Sequence, residues 1–132
     1  MTSRGLLDTS VFIAAENRRR LDEELLPDES AISVITIAEL HAGVLAAPNV
    51  ESRAARLATL NSISDVISFP IDDKVAQVWA RLRVHLAENG RRVNVNDLWI
   101  AASAAAHGLT LFSQDDDFQP LEGVAGLTVV QV

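Results

Sequence analysis

Four acidic residues define the chemistry that this sequence could perform. They are Asp8, Glu39, Asp97 and Asp115. Grouped carboxylates repel one another, and some of them take up protons unless a cation compensates their charge. Carboxylates without cysteine or a nearby histidine are hard oxygen ligands, which favours Mg²⁺ or Mn²⁺ over Zn²⁺. Because such ions activate water and stabilise charge on a phosphodiester under attack, the four acids predict a metal-dependent nuclease.

Each acid also has an ordinary structural interpretation. Asp8, Asp97 and Asp115 could each cap a helix by accepting hydrogen bonds from free backbone N–H groups. Thr36 and Glu39 have the spacing of a capping box, which would make Glu39 a local structural residue. The residues three and four positions from Glu39 favour function, because they are apolar or small and an unpaired carboxylate among them is costly. For the other three acids the sequence leaves both interpretations open.

The elements that must position these acids follow a βα pattern, because short apolar runs alternate with longer segments of helical period. Apolar residues at 75, 78, 79, 82 and 86 share one helical face, and glycines at 90 and 108 are suited to helix ends. The predicted strands are 5–7, 31–34, 65–69, 110–113 and 127–130. The predicted helices are 10–16, 18–26, 36–45, 51–61, 72–89 and 97–107.

This order predicts an α/β fold with a central parallel sheet of about five strands flanked by helices. Ligands of open parallel sheets bind beyond the carboxyl ends of the strands. Asp8 and Asp115 follow the first and fourth predicted strands, Glu39 lies one turn into the helix after the second, and Asp97 opens an alanine-rich helix. Four distant segments are therefore expected to deliver carboxylates to one edge of the sheet.

Composition limits the other possibilities. The chain has 132 residues, which suit a single domain over 1–132, and 48% of them are hydrophobic. The absence of cysteine excludes disulfides and thiolate chemistry, and no apolar run reaches the length of a membrane span, so a soluble, cytoplasmic protein is expected. The net charge of −7 opposes a nucleic-acid partner, but bound cations would mask part of the charge of an acidic site. Clustered arginines, Arg91 and Arg92 among them, are candidates for contact with an RNA backbone.

Four segments carry a resemblance to a known family. They are 7–13 (LDTSVFI), 36–40 (TIAEL), 96–102 (NDLWIAA) and 111–118 (LFSQDDDF). In this order and spacing they resemble the PIN domain and, more narrowly, the VapC-type toxins of bacterial toxin–antitoxin pairs. The resemblance spans nearly the whole chain and implies one PIN-like nuclease domain.

The resemblance also implies a function and a site. It implies a Mg²⁺- or Mn²⁺-dependent endoribonuclease acting on structured RNA such as tRNA or rRNA. The four acids match the family's acidic positions, Asp117 matches a further acid of the last motif, and Ser10 and Ser113 would be supporting hydroxyls. Three consecutive aspartates leave the ligand among Asp115, Asp116 and Asp117 open, and the chain has Ser113 and Gln114 where the family often has Thr and a basic residue.

The partners implied by the resemblance are a second copy of the chain and a VapB-type antitoxin. Such toxins are typically homodimers, and the antitoxin lies over the helices and blocks the entrance to the active site. An amphipathic helix of the antitoxin would need an apolar groove. The early helices offer Phe12, Ile13, Leu21 and Leu25 as candidates for that groove.

Two other functions fit part of the pattern. An aspartate after the first strand, followed by threonine, could belong to a phosphotransferase or phospho-receiver with a phospho-aspartate. Those folds require a lysine late in the sheet, whereas the single lysine is Lys74, and Ser10 stands where a second aspartate is expected. The other possibility is a catalytically inactive PIN-like binding module, in which the acids cap helices or retain a metal without turnover.

Overall fold

The structure, a computed structural model, describes residues 3–132. A five-stranded sheet runs through its centre in the order β3-β2-β1-β4-β5, and every neighbouring pair of strands is parallel. The strands are β1 (Arg4–Leu7), β2 (Glu29–Ser33), β3 (Ile67–Phe69), β4 (Thr110–Ser113) and β5 (Val129–Gln131). Leu6 pairs with Ala31 on one side and Leu111 on the other, so β1 is the central strand. The predicted α/β fold with a parallel sheet of five strands is confirmed.

Helices connect the strands. They are α1 (Thr9–Glu16), α2 (Val34–Leu45), α3 (Val50–Ser62), α4 (Asp73–Glu88) and α5 (Val95–Ala106). Short 3₁₀ turns occupy Glu23–Leu25, Gln119–Leu121 and Val124–Gly126. No helix within residues 3–132 combines the length and apolar character needed to cross a membrane.

The alanine-rich helix α5 packs at the centre of the molecule. Its Ile100, Ala101 and Ala104 are fully buried in one cluster with Leu6 of β1 and Leu82 of α4. Small side chains permit this close approach, and burying the large ones stabilises the fold by about 1.5–3 kcal/mol each. The packing fixes the first turn of α5 relative to the end of β1, where the candidate acids lie.

The predicted helix over 18–26 is wrong. Helix α1 ends at Glu16, Arg18 adopts a positive φ of 55°, and within this segment only Glu23–Leu25 forms a 3₁₀ turn. Leu21 and Leu26 pack against the buried cluster around Leu7. Because residues five apart do not lie on one face of an α-helix, this pair is buried through an irregular segment instead.

Two helices begin two residues before their predicted starts, and the caps explain both. The Oγ atom of Ser33 accepts a hydrogen bond from the backbone N of Ile35, so α2 begins at Val34, which the sequence assigns to the preceding strand. Oδ1 of Asn94 likewise accepts from the backbone N of Asn96, so α5 begins at Val95 and Asp97 lies within its first turn. These caps exclude a capping box built on Thr36 and the capping role for Asp97.

Candidate active site

Asp8 lies at the carboxyl end of β1 and is only 3% exposed. It occupies the N-cap position of α1, but its side chain makes no capping hydrogen bond. Its Oδ2 atom instead accepts hydrogen bonds from the hydroxyls of Ser10, at 2.6 Å, and Ser113, at 3.1 Å. The carboxylate is therefore held between two adjacent strands, which the capping interpretation does not explain.

The same two hydroxyls hold the loop that follows β4. The Oγ atom of Ser10 accepts a hydrogen bond from the backbone N of Gln114, and the Oγ atom of Ser113 accepts one from the backbone N of Asp115. Each serine thus donates to Asp8 and accepts from the loop, which satisfies both functions of a hydroxyl. The last acidic segment is positioned against Asp8 by this network.

Glu39 lies half-buried on α2, and its carboxylate is bound to the start of α1. Its Oε1 atom accepts a hydrogen bond from the hydroxyl of Thr9 at 2.7 Å. Since the proton of Thr9 is used in this way, the hydroxyl of Thr36, 2.9 Å away, donates to Thr9. Both threonines are buried. This chain supplies the polar partner that Glu39 requires on an otherwise apolar helix face.

The pKa of Asp97 shows that the acids lie close together. Burial, followed by the negative charges of four other carboxylates, raises its pKa from 3.8 to about 7. Those carboxylates, in decreasing order of effect, belong to Asp8, Glu39, Asp117 and Asp115. Burial also raises the pKa of Asp8, although hydrogen bonds from the hydroxyls of Ser10 and Ser113 oppose that rise. The fold therefore brings acids from four distant segments within electrostatic reach of one another.

The three consecutive aspartates after β4 are all exposed. Asp117 and Asp115 are the two members that raise the pKa of Asp97. The choice between them as a metal ligand stays a prediction.

The donor set fits a hard divalent cation in its chemistry. All of its side chains offer oxygen, and the repulsion that raises the pKa of Asp97 is the interaction that a bound Mg²⁺ or Mn²⁺ would remove. Among residues 3–132, however, no three acidic, histidine or cysteine side chains converge closely enough to enclose an ion. The carboxylates of Asp8 and Glu39 are directed to hydroxyl donors instead.

Thr9 and Thr36 belong to the site but were not predicted as functional residues. A signal was present, because Thr9 directly follows Asp8 and Thr36 precedes Glu39 by one helical turn. The sequence could not show that the two threonines, 27 positions apart, would contact each other across two helices.

The predicted RNA contacts lie on the loop that precedes α5 and Asp97. Arg91 and Arg92 are exposed on the loop between α4 and α5 and line a surface cavity there. The acid cluster connects to this loop through the short segment from Asn94, which caps α5, to Asp97 in its first turn.

The predicted partner groove is only partly present. Ile13 and Leu25 are 36% and 48% exposed, whereas Phe12 and Leu21 pack inward against buried clusters. Ile13 lines a cavity of about 360 Å³ between α1, α2 and α3, and Glu39 forms part of its wall. A cavity of mixed polar and apolar character, lined by one of the four predicted residues, therefore adjoins Glu39.

Comparisons with known proteins identify the family and similar sequences. The sequence model of the PIN domain matches residues 5–123. The chain is 57% identical to Ribonuclease VapC5 of Mycobacterium tuberculosis over 97% of this chain and 95% of that protein. It is 39% identical to Ribonuclease VapC4 of the same organism over 96% and 97%.

Solved structures with a similar fold were also found. A crystal structure of VapBC-5, a member of the VapBC family of toxin-antitoxin systems from Mycobacterium tuberculosis, superimposes with a TM-score of 0.93 and 55% identity, covering 98% of this chain and 99% of that chain. VapBC2 from Rickettsia felis, bound to a DNA fragment from its promoter, gives a TM-score of 0.80 at 26% identity and covers 98% of both chains.

Proposed function

This chain belongs to the PIN domain family, and we propose that it is an endoribonuclease of the VapC type, the toxin of a toxin–antitoxin pair. The observation that carries the proposal is the hydroxyl network that holds Asp8, Glu39 and the Asp115 loop together, beside a half-buried Asp97 whose pKa their charges help to raise. The relatives named ribonucleases, at 57% and 39% identity, support hydrolysis of RNA as the reaction. Residues 1–132 would form the single nuclease domain.

The metal site is proposed at the acid cluster. Asp8, Glu39, Asp97 and Asp115 would hold Mg²⁺ or Mn²⁺, with Asp117 as a further ligand. When bound, the ion would supply an activated water and stabilise negative charge on the phosphodiester. Unlike the phospho-aspartate alternative, this chemistry requires no late lysine.

The hydroxyl network orients the acids for this role. Ser10 in the first turn of α1 and Ser113 at the end of β4 hold the carboxylate of Asp8, and Thr9 holds that of Glu39. Fixed carboxylates lose less freedom when they bind an ion, which is how supporting hydrogen bonds typically raise the affinity of a metal site.

A proton on Asp97 gives the site a characteristic pH dependence. With a pKa of about 7, this carboxyl group is largely protonated in the ion-free protein below neutral pH. Binding of a cation must displace that proton, so metal affinity rises with pH until the group is fully ionised.

The partner is proposed to be a VapB-type antitoxin. Support comes from the solved relatives at 55% and 26% identity, which are described as VapBC, the first of them as a member of a family of toxin–antitoxin systems. A segment of the partner bound in the cavity that Ile13 and Glu39 line would contact one of the four acids. RNA such as tRNA or rRNA is proposed as the substrate, with the chain acting as a homodimer in the cytoplasm.

Variants of two central acids test the proposal. Asp8→Asn and Asp97→Asn should each abolish cleavage of total RNA in the presence of Mg²⁺ or Mn²⁺, while circular dichroism shows a folded protein. Asp73→Asn is the matched control, because Asp73 is also in the first turn of a helix but lies outside the cluster. Cleavage that persists in both cluster variants would contradict the site.

The wild-type chain distinguishes the remaining alternative. Metal binding, measured by calorimetry, without any cleavage of RNA would favour a catalytically inactive PIN-like module over the proposed enzyme. If the chain neither binds metal nor cleaves RNA, the acids have purely structural roles.

A further inference from the structure

A cavity of about 320 Å³ opens at the corner where α4 meets α5. Its size lies within the range of about 300–1,000 Å³ that is typical of sites for small molecules. Its lining combines four aliphatic side chains with four charged or aromatic ones. The latter are Trp79, Arg83, Arg91 and Arg92.

The charge of this cavity differs from that of the whole molecule. The chain carries 11 basic and 18 acidic residues, yet Arg83, Arg91 and Arg92 meet at one opening. All three are exposed, and the one ion pair found within residues 3–132 joins Arg4 to Glu29. The three guanidinium groups are therefore available to an anionic ligand.

A pair of stacked tryptophans lies at the cavity. Trp79, which lines the cavity, stacks on Trp99, with ring centroids 4.8 Å apart and planes 19° from parallel. The Nε1 atom of Trp79 is buried, so a ligand in the cavity would contact the ring of Trp79 and not its N–H group.

We propose that this cavity binds one unpaired nucleotide of the RNA substrate. The phosphate would lie against Arg83, Arg91 and Arg92, and the base would pack on the ring of Trp79. Single-stranded RNA fits this chemistry, because its unstacked bases can pack on aromatic side chains and arginine planes. A duplex conceals those faces and fits it less well.

The position of the cavity relates it to the acid cluster. Leu98 lines the cavity, and Asp97, next to it in the first turn of α5, belongs to the cluster. A nucleotide bound here would flank the phosphodiester presented to the acids. The inference rests on the proposed ribonuclease function for its substrate, and it predicts that recognition includes an unpaired nucleotide beside the cleaved bond.

Tryptophan fluorescence tests the proposal directly. The chain has two tryptophans, Trp79 and Trp99, and they stack on each other, so all indole emission comes from this corner. A single-stranded RNA of about ten nucleotides, a length in the usual range of single-strand sites, is titrated into the full chain in a buffer with a metal chelator, so that the RNA stays intact. Saturable quenching is expected, and duplex RNA of the same sequence should bind at least about tenfold more weakly.

Two triple variants separate this cavity from a general effect of charge. Arg83→Ala, Arg91→Ala and Arg92→Ala together should weaken binding by at least about tenfold and flatten its salt dependence, since each lost phosphate contact reduces the slope by about 0.7 for single strands. The control replaces Arg53, Lys74 and Arg81, which are exposed and lie outside the cavity, and it removes the same charge. Equal weakening in both triple variants would overturn the proposal.

The aromatic contact has its own test. Trp79→Leu removes the ring that lines the cavity and should weaken binding severalfold, whereas Trp99→Leu should have little effect, because Trp99 does not line the cavity. Each variant retains one tryptophan as a reporter. Equal affinities in the two variants, or binding to duplex RNA as tight as to single strands, would refute the nucleotide site.

Failure of this inference is distinguishable from failure of the ribonuclease proposal. If wild-type protein cleaves RNA but the arginine variant of the cavity retains the wild-type KM, the cavity is not a substrate site and the enzyme proposal stands. If single-stranded RNA quenches fluorescence and the cavity variant loses this binding, but RNA is never cleaved, the cavity stands and the enzyme proposal fails.

Discussion

Replacing Asp97 by asparagine should stabilise the ion-free protein. The pKa of this carboxyl group is raised from 3.8 to about 7 in the folded state, so above pH 7 the fold retains a charge that it disfavours. Each pKa unit corresponds to about 1.4 kcal/mol, which gives about 4 kcal/mol before screening. Asp97 is only partly buried, and screening by solvent reduces this to about 2 kcal/mol. A gain of that size should raise Tm by about 7 °C for a chain of this length.

The stability difference between Asp97→Asn and wild type should depend on pH. Asp97 is protonated in both states well below pH 3.8, so the variant and wild type should then have similar stability. As pH rises towards the folded pKa of about 7, the unfolded state ionises first and the wild type loses stability relative to Asp97→Asn. Above that pH the difference should be constant.

Thermal unfolding followed by circular dichroism in a chelating buffer, from about pH 4 to about pH 8, measures this difference. Asp73→Asn is again the matched control, because it removes an exposed carboxylate from the first turn of a helix. Its effect should be small and should follow the helix dipole, with a loss rather than a gain of stability. The reasoning is refuted if Asp97→Asn is no more stable than wild type at about pH 8, or if its gain does not change with pH.

Three further predictions concern packing, the hydroxyl network and metal binding. Gly5→Ala would place a Cβ atom 2.3 Å from Cε2 of Phe112, so it should cost about 1–3 kcal/mol in chemical denaturation. Gly43→Ala should instead stabilise the protein by about 0.5–1 kcal/mol, because Gly43 lies within a helix and the new Cβ would be 3.8 Å from its nearest neighbour. Similar effects of Gly5→Ala and Gly43→Ala on stability would contradict this reasoning. Ser113→Ala removes a hydrogen bond that lowers the pKa of Asp8, so it should cost about 1–2 kcal/mol at neutral pH and less near pH 4; a loss that is independent of pH would count against it. Mn²⁺ at about 100 times its Kd should add about 2.7 kcal/mol to wild-type stability, and an unchanged Tm would argue against a metal site.

Much of the architecture could be predicted because it depends on local patterns. The alternation of apolar runs with helical periodicity predicted the five parallel strands, and glycines at 90 and 108, both with positive φ, mark the ends of α4 and α5 as expected. The segment 18–26 was mispredicted because Leu21 and Leu26 are drawn inward by a cluster built from distant residues. A local helical pattern cannot include that attraction.

The sequence by itself determined which residues could form the site, because Asp8, Glu39, Asp97 and Asp115 are recognisable by type, spacing and their place after predicted strands. Their grouping was decided by the tertiary structure. A pKa near 7 for Asp97 requires burial and neighbouring charges from remote parts of the chain, and those are properties of the fold rather than of any segment. Likewise, Arg83, Arg91 and Arg92 line one cavity only after α4 and α5 have packed together. Electrostatic and packing energies depend on distances in space, which the sequence does not state.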